Sequence, residues 1–164
     1  MLELFCLFMF IEIAGAACPA TWVAHGQSCY YFSRDAETWP DAYTICKIFG
    51  GKLAEIEDSN EDNFIGAEAK LLNNNPIAPF RQSYWIGLSD VSEEGTWLWM
   101  SSKKNLSGRY SNWYPGQPGI IGSNFEQENC ADLHHLTGKW NDAVCSEEHY
   151  FICEKNTEMS VAFG

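Results

Sequence analysis

Seven cysteines punctuate this 164-residue chain, and the distribution of six of them restricts its folding more than any other feature. Cys6 lies in an apolar leader, whereas Cys18, Cys29, Cys46, Cys130, Cys145 and Cys153 fall in the remainder. The run LFCLFMFI, residues 4–11, followed by the small residues of AGAA, reads as a secretory signal peptide over residues 1–17. Its apolar run is far shorter than the roughly 20 residues a bilayer-spanning helix needs, so no membrane span is expected. Secretion removes Cys6 and leaves an even set of six in an oxidising compartment, where three disulfides are the default. Spacing alone does not choose among the alternative pairings.

The length suits one domain with a sizeable core. It is expected over residues 18–155, with 156–164 as a short flexible tail. The formal charge is −12, and removing Glu3 and Glu12 with the leader leaves 20 acidic residues against 10 basic, or −10. The few lysines and arginines are scattered, which argues against a nucleic-acid partner. Asn105-Leu106-Ser107 is an N-glycosylation sequon, which needs an exposed loop.

Two helices are predicted. In TWPDAYTICKIFGG, Thr38 caps with Asp41 three residues on, Pro40 sits in the tolerant first turn, and Gly50-Gly51 ends the helix. Tyr43, Ile45, Cys46 and Phe49 then share a face. In DSNEDNFIGAEAKLLNNN, Ser59 caps with Asp62 at the third position, and the asparagine run with Pro76 stops it. Beyond residue 80 the period changes. SYWIGLSD, TWLWMS, GKWNDAVC and HYFICEK read as strands. Helices early and strands late favour an α+β domain. The stretch from about 101 to 128 is polar and Gly-rich, a loop long enough to be functional. It contains the Gly-Gln-Pro-Gly turn.

Trp85-Ile86-Gly87-Leu88, Glu94-Gly95-Thr96-Trp97, Asn112-Trp113, Gln117-Pro118, Glu128-Asn129-Cys130 and Trp140-Asn141-Asp142, together with the cysteine spacing, resemble the C-type lectin-like domain over nearly the whole chain after the leader. The chain looks most like the small secreted single-domain lectins of invertebrates, perlucin-like proteins among them. The resemblance implies an α+β fold of two helices packed on antiparallel sheets, with a long calcium and ligand loop. It also implies the disulfides Cys18–Cys29, Cys46–Cys153 and Cys130–Cys145.

In sugar-binding members of that family, Ca²⁺ bonds directly to two neighbouring sugar hydroxyls. Residue by residue, the resemblance carries the metal and carbohydrate ligands onto Gln117, Glu128, Asn141 and Asp142, with a cis peptide before Pro118. These are hard oxygen donors of the kind Ca²⁺ takes. Gly119 breaks the pattern, because the family has Asn or Asp there. Losing that ligand implies a weakened site near the extracellular affinity range of about 10⁻⁴ to 10⁻³ M, unless water, the Gly119 carbonyl or Glu126 fills the gap. Gln117 leans toward galactose-type recognition, and Phe125 is a candidate for stacking on a sugar.

Asp90 and Glu94 match two ligands of an auxiliary calcium site whose other positions fall on Ile120 and Asn129. They are read here as solvated turn residues. Trp85, Trp97, Trp99 and Trp140 are expected in the core. His134 and His135 are expected at the surface rather than on zinc, because the nearby cysteines are paired.

The functional expectation is a secreted, extracellular, calcium-dependent lectin that recognises glycans on microbial or host surfaces, a role in innate immunity. The alternative is a calcium-mineral or protein-interaction protein that keeps the fold without sugar binding. An enzyme is not expected, since Gly-x-Ser-x-Gly, His-Glu-x-x-His and phosphate-loop motifs are absent.

Overall fold

The computed structural model describes residues 18–73, 83–119 and 127–157. The expected leader, most of the tail, Ile120, Phe125, Glu126 and Pro76 lie outside the described residues. The elements run β1 (Val23–His25), β2 (Ser28–Phe32), α1 (Trp39–Ile48), β3 (Lys52–Leu53), α2 (Ser59–Asn73), β4 (Tyr84–Ser89), β5 (Leu98–Trp99), β6 (Cys130–Leu133), β7 (Trp140–Ala143) and β8 (Tyr150–Asn156).

Helix α1 starts and stops as its sequence dictates. The Thr38 side chain accepts from the Asp41 N–H, and Pro40 occupies the first turn. At the other end Gly50 adopts φ +76°, its N–H reaches the Lys47 carbonyl, and the Gly51 N–H reaches the Cys46 carbonyl. That double bond to the last turn needs a left-handed residue, which only glycine supplies without a steric penalty. The buried face is Trp39, Ala42 and Cys46, not the expected set. Phe49 stands 42% exposed just past the helix end, its ring edge-on to Tyr31 of β2 at 5.4 Å.

For α2 the cap moves by one residue. Asp58, not Ser59, receives the Asn60 and Glu61 N–H groups, at 2.8 and 2.9 Å. Both residues are good caps, so local sequence does not decide between them. With Asp58 as cap, Asp62 is no longer a capping-box partner and turns into the core, where it is buried.

Strand order is β1-β2-β8-β4-β6-β7, with β3 paired to β8 and β5 to β4. Two expectations fail here. Three strands precede α2, so helices and strands interleave, and β4 pairs with β8 in parallel, so the sheet is mixed. Strands β1, β2, β3 and β6 escape a sequence pattern because they are short or lie beside cysteines. A parallel pair requires a crossover, and the loop-rich segment between β4 and β8 supplies it.

The alternation of β4 distributes the core onto both faces of the sheet. Tyr84, Ile86 and Leu88 join one apolar cluster with Ile65 and Ala69 of α2, whereas Trp85 joins a second with Trp39, Ala42 and Cys46 of α1. Each helix thus covers one face. Trp39 Nε1 donates to the Ile86 carbonyl at 2.9 Å, and Trp85 Nε1 to that of Glu37. Trp85, Trp97, Trp99 and Trp140 are all buried, as expected of core residues.

The three disulfides are Cys18–Cys29, Cys46–Cys153 and Cys130–Cys145. The second ties α1 to β8 across 107 residues. By loop-closure entropy a link of that length contributes about 4.7 kcal/mol.

Candidate functional site

The site is assembled where the long loop crosses β7. Trp113 and Trp140 form a parallel bridge, the Trp140 N–H donates to the Asn112 carbonyl, and the Tyr114 N–H donates to the Trp140 carbonyl at 2.7 Å. Directly after it, Tyr114 to Gln117 closes a β-turn through the Gln117 N–H and the Tyr114 carbonyl at 2.9 Å. Pro115 followed by Gly116 at φ +95° is the type II pattern, so this turn begins two residues before Gly-Gln-Pro-Gly. The Gln117–Pro118 peptide is cis, in line with the expectation.

This route brings the predicted side chains together. Gln117 Nε2 donates to Asn141 Oδ1 at 3.1 Å, and the Gly119 N–H donates to Asp142 Oδ2 at 2.6 Å. A Cβ placed on Gly119 would lie 3.4 Å from Gln117 Oε1, 3.7 Å from Asp142 Oδ2 and 3.8 Å from Glu128 Oε2. Oxygens of three residues therefore surround the position that a longer side chain at 119 would enter. Gly119 contributes a backbone donor that steadies Asp142.

Electrostatically the site is short of positive charge. Burial, then repulsion from Asp142, Glu147 and Asp132, pushes Glu128 above the ordinary carboxylate range. Asp142 is also raised, chiefly by burial and further by Asp90 and Asp132, against the stabilising N–H of Gly119. Gln117 Oε1 and Asp142 Oδ1 are buried without a hydrogen-bond partner. Orphaned hard oxygens beside two acids of reluctant ionisation fit a hard divalent cation. Among the described residues no three His, Cys, Asp or Glu side chains gather as a metal site, because here two of the four donors are amides.

The auxiliary pair divides. Glu94 is exposed, but Asp90 is only 2% exposed and is not the solvated turn residue expected. Its Oδ2 accepts the Gly95 N–H at 2.8 Å, while its Oδ1 and the Oδ1 of Asn129 are buried and unpartnered. Beside it the Ser89 hydroxyl donates to the Asn129 carbonyl at 2.6 Å, and the Asp90 N–H reaches the same carbonyl at 3.2 Å. His134 and His135 stack on one another at 4.8 Å and are partly exposed, with Cys130 held in its disulfide. Asn105 is exposed, and its side-chain oxygen accepts the Ser107 N–H.

Sequence reasoning missed Asp62 as the brace of this region. Its carboxylate accepts from Trp140 Nε1 at 2.7 Å, from the Tyr110 hydroxyl at 3.0 Å and from Asn112 Nδ2 at 2.6 Å. It thereby joins α2 to the loop and to the residue before Asn141. The only signal was an acid on the inward face of an amphipathic helix.

Comparison with known proteins places these features. The profile described as "Lectin C-type domain" matches residues 35–155. The chain is 32% identical to a perlucin-like protein of Mytilus galloprovincialis over 90% of its own length and 93% of that protein. It is 33% identical to the galactose-specific lectin nattectin of Thalassophryne nattereri, over 87% of this chain and 83% of that one. Among solved structures it is similar to the carbohydrate-recognition domain of the mouse scavenger receptor C-type lectin. There the TM-score is 0.74 and the identity 35%, covering 87% of this chain and all of that one.

Proposed function

This chain belongs to the lectin C-type domain family, and from that premise we propose that it is a secreted, calcium-dependent lectin for glycans on microbial or host surfaces. Proteins of this family are binding domains and not enzymes. Among the described residues no helix is long and apolar enough to cross a membrane. The domain is taken as residues 18–155, with 1–17 as a cleaved signal.

The observation that carries the reading is the convergence of Gln117 Oε1, Glu128 Oε2 and Asp142 Oδ2 around Gly119, with the orphaned Gln117 Oε1 and Asp142 Oδ1 beside it. Gln117, Glu128, Asn141 and Asp142 would hold Ca²⁺, which when bound supplies two coordination positions for neighbouring sugar hydroxyls. The acids accept hydrogen bonds from those hydroxyls, and the amides of Gln117 and Asn141 donate. The bond between the two amides keeps each oriented before ligand arrives. A galactose preference is proposed from Gln117 and from the likeness to a lectin named galactose-specific.

Retention on immobilised galactose or mannose in calcium, release by EDTA, and loss of retention in Asp142→Ala test the proposal. Retention indifferent to both EDTA and Asp142 would overturn it. A second reading, a mineral- or protein-binding role, is favoured by the missing side chain at Gly119. It predicts adsorption to calcium carbonate or a protein receptor with no sugar selectivity.

A further inference from the structure

We infer that the cleft between β2 and the C-terminal end of α2 binds long-chain carboxylic acids, with the Arg34 guanidinium on the carboxylate and the alkyl chain along Leu72, Phe32 and Val23. This site is separate from the sugar site and does not depend on it.

Two cavities, of about 290 and 500 Å³, adjoin here, since Arg34 and Leu72 line both. Their volumes are of the order of small-molecule sites. Leu71, Tyr84 and Tyr150 wall the first, and Val23, Tyr31 and Phe32 wall the second. Apolar walls with a few polar groups suit a ligand that is itself mostly apolar. Leu71 is 68% exposed, so part of this apolar surface lies in water.

The polar end of the ligand is argued from Arg34. Its backbone position is fixed by Ser33, whose N–H donates to the Phe151 carbonyl at 2.9 Å and whose Oγ accepts the Phe151 N–H at 2.8 Å. The Arg34 side chain is exposed, and among the described residues it makes no hydrogen bond and no ion pair. In an acidic chain, a guanidinium left unpaired over apolar walls is a free donor fork for a carboxylate. Tyr84 does not compete for it as an anion. Burial, then repulsion from Tyr150, pushes its phenol up to about 12 although Arg34 acts to lower it, so the hydroxyl keeps its proton. Asp35 lines the second cavity and opposes an anion there.

A second observation marks the same cleft. Thr21, on the wall of the larger cavity, has φ +73°, a conformation that costs a β-branched residue. The Trp22 N–H bond to the Pro19 carbonyl and the Cys18–Cys29 disulfide hold it there. Backbone strain kept in this way clusters at ligand sites. The cleft is also remote from the sugar site. Tyr84 and Ser89 are the two ends of β4, about 17 Å apart along an extended strand, and Cys130, two residues past Glu128, pairs with Ser89.

Titration calorimetry with laurate below its micelle concentration, in EDTA so that no calcium soap forms, tests this. Laurate should bind saturably, and octanoate, four methylenes shorter, at least about 10-fold more weakly. Arg34→Gln should weaken laurate about 10-fold or more, and Asp35→Asn should strengthen it roughly 2- to 5-fold. Both side chains are exposed, so neither substitution disturbs the core. Absence of saturable laurate binding overturns the proposal, as does equal binding by Arg34→Gln, or dodecanol binding as tightly as laurate. Tighter binding of the peptide Ala-Leu-Leu than of laurate would assign the cleft to a chain terminus and overturn it too. Retention on immobilised sugar in calcium should be the same for wild type and Arg34→Gln, so failure of the lectin reading and failure of this one are read separately.

Discussion

The Asp62 carboxylate of α2 and the Trp140 indole of β7 are joined by a 2.7 Å hydrogen bond in the core, across 78 residues of sequence. Through Tyr110 and Asn112 the same carboxylate holds the long loop, so one buried acid fixes both segments that carry amide donors of the site. Asp62→Ala leaves an indole N–H, a phenol and an amide without their acceptor. It should cost about 2 to 4 kcal/mol in urea unfolding. Calcium affinity should fall with it, and Asp62→Asn should restore part of both.

Gly119→Asp should strengthen calcium binding about 10-fold or more by calorimetric titration, because an added carboxylate enters a site of low charge. Its Cβ meets its neighbours at ordinary contact distances, and Gly119 is not among the positive-φ glycines. Unchanged affinity would show that a carboxylate at this position does not reach the ion.

Calcium affinity should begin to fall at a pH above the ordinary carboxylate values of 3.8 and 4.5, since Asp142 and Glu128 are both raised in the metal-free site. Each native acid holds its proton to a higher pH than in the unfolded chain. Without cation, stability therefore falls as pH rises through that window. Calcium binds the ionised pair, so its affinity falls as pH drops through the same window. Calcium titrations at successive pH values check this. In EDTA, the pH dependence of thermal unfolding should flatten in a Glu128→Gln, Asp142→Asn protein.

Lys52 lies 3.0 Å from Glu55 and 3.3 Å from Glu154, both buried. Desolvation acts to raise Glu55, but the Ser102 N–H and Lys52 prevail and hold it below its ordinary value. Lys52→Met should destabilise by about 2 to 4 kcal/mol, because two buried carboxylates lose their cation. The Glu55 contribution is present above its unfolded value of 4.5 and is lost as pH falls through its lower folded value. Chemical denaturation of both proteins across the acid range measures the difference.

Local chemistry made much of the fold legible. The Thr38 cap, the Gly50-Gly51 stop and the aromatic-bearing runs of β4, β7 and β8 each carry their conformation within a few residues. The four candidate donor positions could be proposed from sequence because they travel with motifs whose order resembles the family's. Other features depend on partners far along the chain. Asp58 and not Ser59 caps the helix from which Asp62 reaches Trp140, and Asp90 is buried at a strand end where Ser89 donates to the Asn129 carbonyl.

The six cysteines, the two helix signals and the donor types at Gln117, Glu128, Asn141 and Asp142 are properties of the sequence by itself, set by side-chain chemistry and short-range backbone preference. Tertiary structure alone decided that β4 runs parallel to β8, that Asp62 braces the loop, and that three oxygens close around a glycine with no side chain to offer. The reason is physical: hydrogen bonds and repulsions between residues tens of positions apart take their sign and strength from distance and burial, which exist only once the chain has folded.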